Sequence, residues 1–256
     1  MARQQLHPPL AAAHGSPENS FEDRSVKILA LETTEKTGSL AALDGARVLY
    51  QMTLAPQKRT TQSLAPGISR LLRAVGWSPR QVELVAVAIG PGSFTGLRVG
   101  LTAAKTFAYA TGATLLGVDT LEAVAARAPQ PVESLWVSVD AQRNQVVAGQ
   151  FRRDQAGWMR PTGPARLVDA DQWVRELPPK TVLSGPAMRL LRKGLPPHLR
   201  PLEPGLWAPT AASVGQLAAR DYGEGRRDDL WSLVPVYSRP SAAEEKWRAR
   251  HRSANR

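Results

Sequence analysis

Residues 82–110 constrain the fold of this chain more than any other stretch. Residues 82–89 are almost wholly apolar and predict a buried strand. They run into the turn Gly90-Pro91-Gly92-Ser93-Phe94-Thr95-Gly96, and a helix of small and apolar residues, 97–110, follows at once. Such a turn exposes backbone N–H groups at a helix start, where an anion can be held. It serves equally well as a tight corner that lets a small-residue helix pack closely. Both readings are open from the sequence, and the choice between them bears directly on function.

The segments around this unit fix an order of elements. Residues 26–31 predict a strand ending at Glu32-Thr33-Thr34, and residues 39–43 a second. Asp44-Gly45 is a hairpin signal before a third strand at 46–53. Thr60-Thr61-Gln62-Ser63 can cap a helix in which Leu64, Ile68, Leu71, Leu72 and Val75 recur at helical spacing, with Pro66 in its first turn. After the central strand, turn and helix, Gly112 closes the helix and residues 114–118 form a strand, giving β-β-β-α-β-α-β. A helix at 119–128 and the linker Pro129-Gln130-Pro131 follow.

The second half repeats the theme: strands at 135–139 and 145–151 about the turn Asp140-Ala141-Gln142-Arg143-Asn144, a helix at 169–176, and a strand running into Gly185. A short helix at 187–193, a proline-rich loop at 196–209, a helix from Thr210 to about residue 222 and an extended segment at 235–240 complete it. A meander followed by alternating helices and strands, found twice, predicts an α/β chain. The expected architecture is the actin-like, RNase H-like (ASKHA) two-lobed fold, with mixed sheets and flanking helices. The expected divisions are a disordered extension at 1–25, an N-terminal lobe at 26–128, a C-terminal lobe at 129–240 and a basic tail at 241–256.

Composition narrows the chemistry. The chain of 256 residues holds no cysteine, which excludes disulfides, thiolate catalysis and thiolate-ligated metals. No apolar run approaches the length of a membrane span, and the first 25 residues do not resemble a secretory signal, so a cytoplasmic protein is expected. A net charge of +11 favours contact with polyanions such as tRNA or DNA. The histidines, His7, His14, His198 and His251, show no helical i,i+4 pairing of a metal site.

Glu32 and Asp140, at the ends of corresponding strands, are the carboxylates that phosphoryl transfer on such a fold would use. Against that use, the loop after Glu32 is bulky and charged for one wrapped round phosphates. Ser93 and Thr95 have no histidine near in sequence, so capping a turn is their expected role. The helix at 97–110 is apolar nearly all round, with a narrow polar stripe of Arg98, Thr102, Lys105 and Thr106. Such a helix is covered on more than one side, by its own sheet and then by the 64–75 helix or another subunit.

At these residues the sequence resembles the TsaB family, also called YeaZ. The block Gly90–Gly100 is close to a family signature. Residues 28–34, Gly117-Val118-Asp119-Thr120-Leu121-Glu122, residues 140–146 and residues 235–242 support it. Glu32 stands where an aspartate is usual, Thr61-Gln62 where a histidine is common, and the first 25 residues lie outside the resemblance.

The resemblance implies an actin-like fold without catalysis of its own. It implies partnership with the larger paralogue TsaD and the ATPase TsaE in placing threonylcarbamoyl on the adenosine beside the anticodon of tRNA. It further implies no cofactor of its own, ATP or ADP at the boundary of the complex, tRNA bound through the complex, and a homodimer when alone. The partner interface it implies lies on the two helices at 63–75 and 97–110, at Leu64, Ile68, Leu71, Leu97, Arg98, Leu101, Ala104, Lys105 and Ala108. Two other readings stand beside it: an ATP-dependent phosphotransferase or hydrolase using Glu32 and Asp140, and a peptidase, for which histidines and a serine base are wanting.

Overall fold

A computed structural model describes residues 25–57 and 59–239. All but Ser25 of the expected N-terminal extension, and the whole expected basic tail at 241–256, lie outside them. The chain opens with strands β1 (Lys27–Glu32), β2 (Ser39–Asp44) and β3 (Arg47–Thr53), then helix α1 (Thr60–Ala74). Strand β4 (Leu84–Gly90), helix α2 (Phe94–Thr111) and strand β5 (Thr114–Asp119) complete the first sheet. Its order is β3-β2-β1-β4-β5, antiparallel across β1, β2 and β3 and parallel across β1, β4 and β5.

The side-chain alternation explains the layers. Leu29 and Leu31 of β1, Leu40 and Ala42 of β2, and Val85 and Val87 of β4 face one core with α1 and α2. Ile28 and Ala30, Ala41 and Leu43, and Leu84, Ala86 and Ala88 face the other. Strands covered on both faces carry no polar alternation, which is why β1 and β4 read as continuous apolar runs.

The second half contains α3 (Thr120–Ala125), β6 (Ser134–Asp140), β7 (Gln145–Arg153), β8 (Met159–Pro161), β9 (Arg166–Asp169) and α4 (Ala170–Glu176). It continues with β10 (Val182–Ser184), α5 (Met188–Leu191), β11 (Arg200–Pro201) and α6 (Ala211–Gly223). Its sheet runs β11-β10-β6-β7-β8, with β9 also paired to β7. Here β6–β7 are antiparallel and β6–β10–β11 parallel, so the pairing scheme of the first sheet recurs. Two lobes of this topology make the expected actin-like α/β fold.

Several elements differ from expectation. Helix α6, read with the second lobe, packs on the first sheet: Val214, Leu217 and Ala218 fill the core beneath Ile28 and Leu43. α3 is shorter than its expected span and wedges between the sheets. Its Leu121 and Val124 face β6 and β7, while Ala123 faces the first sheet. α1 begins at Thr60 with Arg59 as its N-cap, so Pro66 sits in its second turn. β8, β9 and β11, of three, four and two residues, were too short to show a period. Among the described residues, no helix is long and apolar enough to cross a membrane.

Candidate functional site

The glycine turn is built for contact with the loop after β1. Ser93 caps α2, its Oγ accepting from the Gly96 amide at 3.2 Å. The Ser93 amide donates to the Thr34 carbonyl at 2.9 Å, and Thr33 Oγ1 donates to the Gly96 carbonyl at 2.8 Å. A Cβ on Gly92 would stand 2.6 Å from Thr34 Cβ, and one on Gly96 would collide with the Thr33 carbonyl oxygen. The glycines of Gly90-Pro91-Gly92-Ser93-Phe94-Thr95-Gly96 therefore serve close packing, the tight-corner use of the turn. Gly92, Ser93, Phe94 and Thr95 also form one wall of a cleft.

That cleft, about 1110 Å³, lies between the lobes where β1, β4, β6 and β10 end. The first lobe contributes Thr34, Glu35, Lys36 and Arg98, and the second Asp140, Gln142, Arg143, Pro186, Arg189 and Leu190. Glu35 and Arg189 form an ion pair that joins the lobes. Tyr237, Ser238 and Arg239 close one side. The Arg98 guanidinium lies over the Phe94 ring at 4.0 Å and its Nε donates to the Tyr237 hydroxyl at 3.0 Å. Phe94 and Tyr237 are 4.8 Å apart, ring to ring.

The acidic candidates behave differently from one another. Glu32 is 1% exposed and absent from the cleft wall. Its Oε1 accepts from the Thr34 amide at 2.5 Å and from Thr34 Oγ1 at 2.6 Å. Burial pushes its carboxyl up to about 7, although those two hydrogen bonds pull the other way. Asp140 does line the cleft and accepts from the Gln142 amide at 2.8 Å. Asp119 caps α3, accepting from the Glu122 amide at 3.0 Å, and burial raises its carboxyl to about 6. Among the described residues, no group of three or more His, Asp or Glu side chains is placed to hold a metal. His198 is exposed in the proline-rich loop; His7, His14 and His251 lie outside the described residues.

The residues expected at a partner interface divide sharply. Leu64, Ile68 and Leu71 of α1, and Leu97, Leu101, Ala104 and Ala108 of α2, are buried, nearly all of them in the core between these helices and the first sheet. As surface-lining side chains they are corrected: each helix turns its apolar face onto its own sheet, as a 3.6-residue period requires. On α2 the exposed residues are Thr95, Arg98, Thr102, Thr106, Tyr109 and Ala110, with Lys105 half-buried.

What covers this outer face has no periodic signal in the sequence. Residues 226–239 leave α6, bridge to β5 at Leu115, and run back along α2. Lys105 Nζ donates to the Trp231 carbonyl at 3.1 Å, Tyr109 and Trp231 meet edge to face at 5.8 Å, and the Val236 amide donates to the Ile89 carbonyl at 2.7 Å. The matched motif at 235–242 was its one visible signal.

Comparison with known proteins agrees with this geometry. Residues 54–167 match the family described as "TsaD: tRNA N6-adenosine threonylcarbamoyltransferase". The chain is 28% identical over 229 residues to the tRNA threonylcarbamoyladenosine biosynthesis protein TsaB of Bacillus subtilis, covering 86% of this chain and 97% of that one. To the Escherichia coli protein of the same name it is 29% identical over 134 residues, 52% of this chain and 58% of the relative. The solved structure of YeaZ from Pseudomonas aeruginosa superposes with a TM-score of 0.72 at 25% identity, covering 83% of this chain and 99% of that one. Similarity along almost the whole length of a TsaB, together with the YeaZ fold, supports placing the chain with the TsaB (YeaZ) family.

Proposed function

We propose that this chain is a non-catalytic scaffold subunit in the formation of threonylcarbamoyladenosine beside the anticodon of tRNA, and that it binds and stabilises a TsaD-type paralogue. The observation that carries this reading is the outer surface of α2 with the segment laid along it. Trp231 is 74% exposed, Tyr109 71% and Val234 64%, with Val236 and Tyr237 continuing the strip towards the cleft. A contiguous apolar strip with aromatic anchors and a polar rim is the composition of a protein–protein interface.

The reaction comes from the names of the relatives, which are tRNA threonylcarbamoyladenosine biosynthesis proteins. In this reading a TsaE-type ATPase completes the cytoplasmic assembly, ATP or ADP sits at its boundary, and tRNA is reached through the complex. The chain itself supplies no catalytic cofactor, and the same α2 face pairs two copies when the partner is missing. The phosphotransferase reading needs Glu32 turned into the cleft, whereas that carboxyl is held on Thr34 away from it.

Size-exclusion chromatography with light scattering tests the reading, on this chain alone and mixed with the TsaD-type protein of the same organism. The expected result is a defined heteromer that modifies tRNA when the remaining components are added. Two separate peaks at micromolar concentration would remove the scaffold role.

A further inference from the structure

Between Asp44 and Asp119 the sequence holds one carboxylate, Glu83, against eight lysines and arginines. The whole chain has 22 acidic residues, so the scarcity is local. This stretch supplies α1 and α2, the two helices that lie together on one face of the first sheet. Glu83 accepts from the Lys27 amide at 3.0 Å, at the start of β1. The outer surface of the helix pair is therefore charged with one sign.

On α1 that surface carries Thr61, Gln62, Ala65, Ser69, Arg70 and Arg73, all exposed. Arg73 donates to the Ser69 hydroxyl at 2.9 Å, a neutral partner that leaves the charge standing. Arg98 of α2 is likewise held by neutral groups, the Phe94 ring and the Tyr237 hydroxyl. The segment at 226–239 brings one exposed carboxylate to α2, Asp229. Hydrogen bonds from Ser232 and Trp231 and the charge of Lys105 hold it below the usual carboxylate range. Lys105 is thus matched from within the chain. Among the described residues, no carboxylate forms an ion pair with Arg70, Arg73 or Arg98.

We propose that this charge selects the occupant of the α1–α2 face: it takes a protein surface that sets carboxylates against Arg70, Arg73 and Arg98, and it resists a second copy of this chain. The inference rests on the reading of this face as the partner surface and adds the partner's chemistry. An isologous pair brings a patch against itself, so the arginines of both copies would share one interface with no carboxylate to offset them. An acidic surface meets the same arginines with attraction, which also speeds encounter. Dissolved salt screens both effects, so it should weaken the heteromer and strengthen the homodimer. A nucleic acid is the other polyanion that could meet a cationic face. Against it, the 15 residues of α1 hold only two cations, Arg70 and Arg73, few for tracking phosphates. The exposed apolar strip of Tyr109, Trp231 and Val234 alongside suits a protein.

Sedimentation equilibrium of the full-length chain, alone and with the TsaD-type protein of the same organism, is the test, at about 50 mM and about 500 mM potassium chloride. Across that range the heteromer Kd should rise about tenfold and the homodimer Kd should fall about threefold. Arg70→Gln combined with Arg73→Gln should flatten both responses, and at low salt it should strengthen the homodimer and weaken the heteromer. Arg166→Gln combined with Arg175→Gln removes the same net charge from exposed positions of the second lobe and should change neither. A heteromer that forms but ignores salt would overturn the proposal and leave the partner reading standing; no heteromer at either salt would overturn both. A homodimer that weakens with salt, or that stays absent in the Arg70, Arg73 variant at concentrations that saturate the heteromer, would overturn the exclusion of a second copy. Binding of tRNA by the isolated chain, lost in that variant while the heteromer is untouched, would reassign the arginines to RNA and overturn the proposal.

Discussion

The Thr33 carbonyl oxygen occupies the space that a Cβ on Gly96 would need, while the Thr33 hydroxyl donates to the Gly96 carbonyl at 2.8 Å. The chain just after β1 and the first turn of α2 thus pack backbone against backbone and are tied by a side-chain hydrogen bond. Gly96→Ala must push α2 away from β1, since the obstructing atom belongs to the main chain and cannot swing aside. The expected cost is about 3 kcal/mol or more. At the other end of α2, Gly112 has φ of 75° and open space about it, so Gly112→Ala should cost only about 1 kcal/mol through backbone strain. Urea denaturation of the two variants measures the contrast; equal losses would show that the β1–α2 contact is not tight.

Partner binding should follow the outer face of α2 and not its apolar positions. Ala104 is fully buried, so Ala104→Arg is expected to unfold the chain before it can report on any interface. Thr102→Glu and Tyr109→Glu place a charge on the exposed side and should leave the melting temperature within a few degrees of wild type, about 0.5 kcal/mol. Each is expected to weaken the complex with the TsaD-type partner about tenfold or more. Pull-down and melting curves on the same preparations separate the two effects.

The two sheets were legible because their central strands are apolar on both faces and each is punctuated by glycine or a hairpin signal, as at Asp44-Gly45. The short β8, β9 and β11 carried no period to read. The position of α6 was hidden for another reason: its apolar face fits either lobe, and only the three-dimensional path returns it to Ile28 and Leu43. The same limit applied to the cleft. Arg98, Arg143 and Arg239 lie in three segments that the sequence marks as motifs, yet their convergence depends on contacts more than 90 residues apart, such as Arg98 with Tyr237. The apolar residues of α1 and α2 showed which faces are buried without showing that their own sheet is what buries them.

Stability should fall as pH rises towards neutrality, because Glu32 holds its proton in the folded state. Its carboxyl is raised from 4.5 to about 7 by burial. Below pH 4.5 folded and unfolded chains are both protonated there. Between 4.5 and about 7 the unfolded chain releases the proton and the folded chain keeps it, so each step up in pH favours unfolding; above 7 both are ionised and the loss is complete. Asp119, raised from 3.8 to about 6, adds a loss of the same sign over a lower window. Glu32→Gln retains an oxygen that can accept from Thr34 and has no proton to lose. It should flatten the slope above pH 6 and raise stability at pH 8 by about 3 kcal/mol, the order set by the shift. Denaturation midpoints at half-unit pH steps decide this, and a wild-type curve that rises through the same window would contradict it.

The segment along α2 should depend on one arginine at its root. Arg226 bonds Asp221 and Asp228 at 2.8 Å each and donates to the Gly117 carbonyl at 2.8 Å, while Asp228 accepts from the Gly117 amide at 2.8 Å. This ties the exit of α6 to β5 before the chain turns towards Trp231. Arg226→Ala leaves two carboxylates with fewer donors. It should cost about 1–2 kcal/mol, modest because the guanidinium is partly exposed. The larger effect should be local. The amides of Asp228 and Val236, which donate to Leu115 and Ile89, should exchange hydrogen much faster while those of β1 and β4 stay protected. With Trp231 and Val234 no longer held beside Tyr109, affinity for the TsaD-type partner should fall in step with that loss of protection. Full affinity in a variant whose segment exchanges freely would assign the partner contact to the α2 side chains alone.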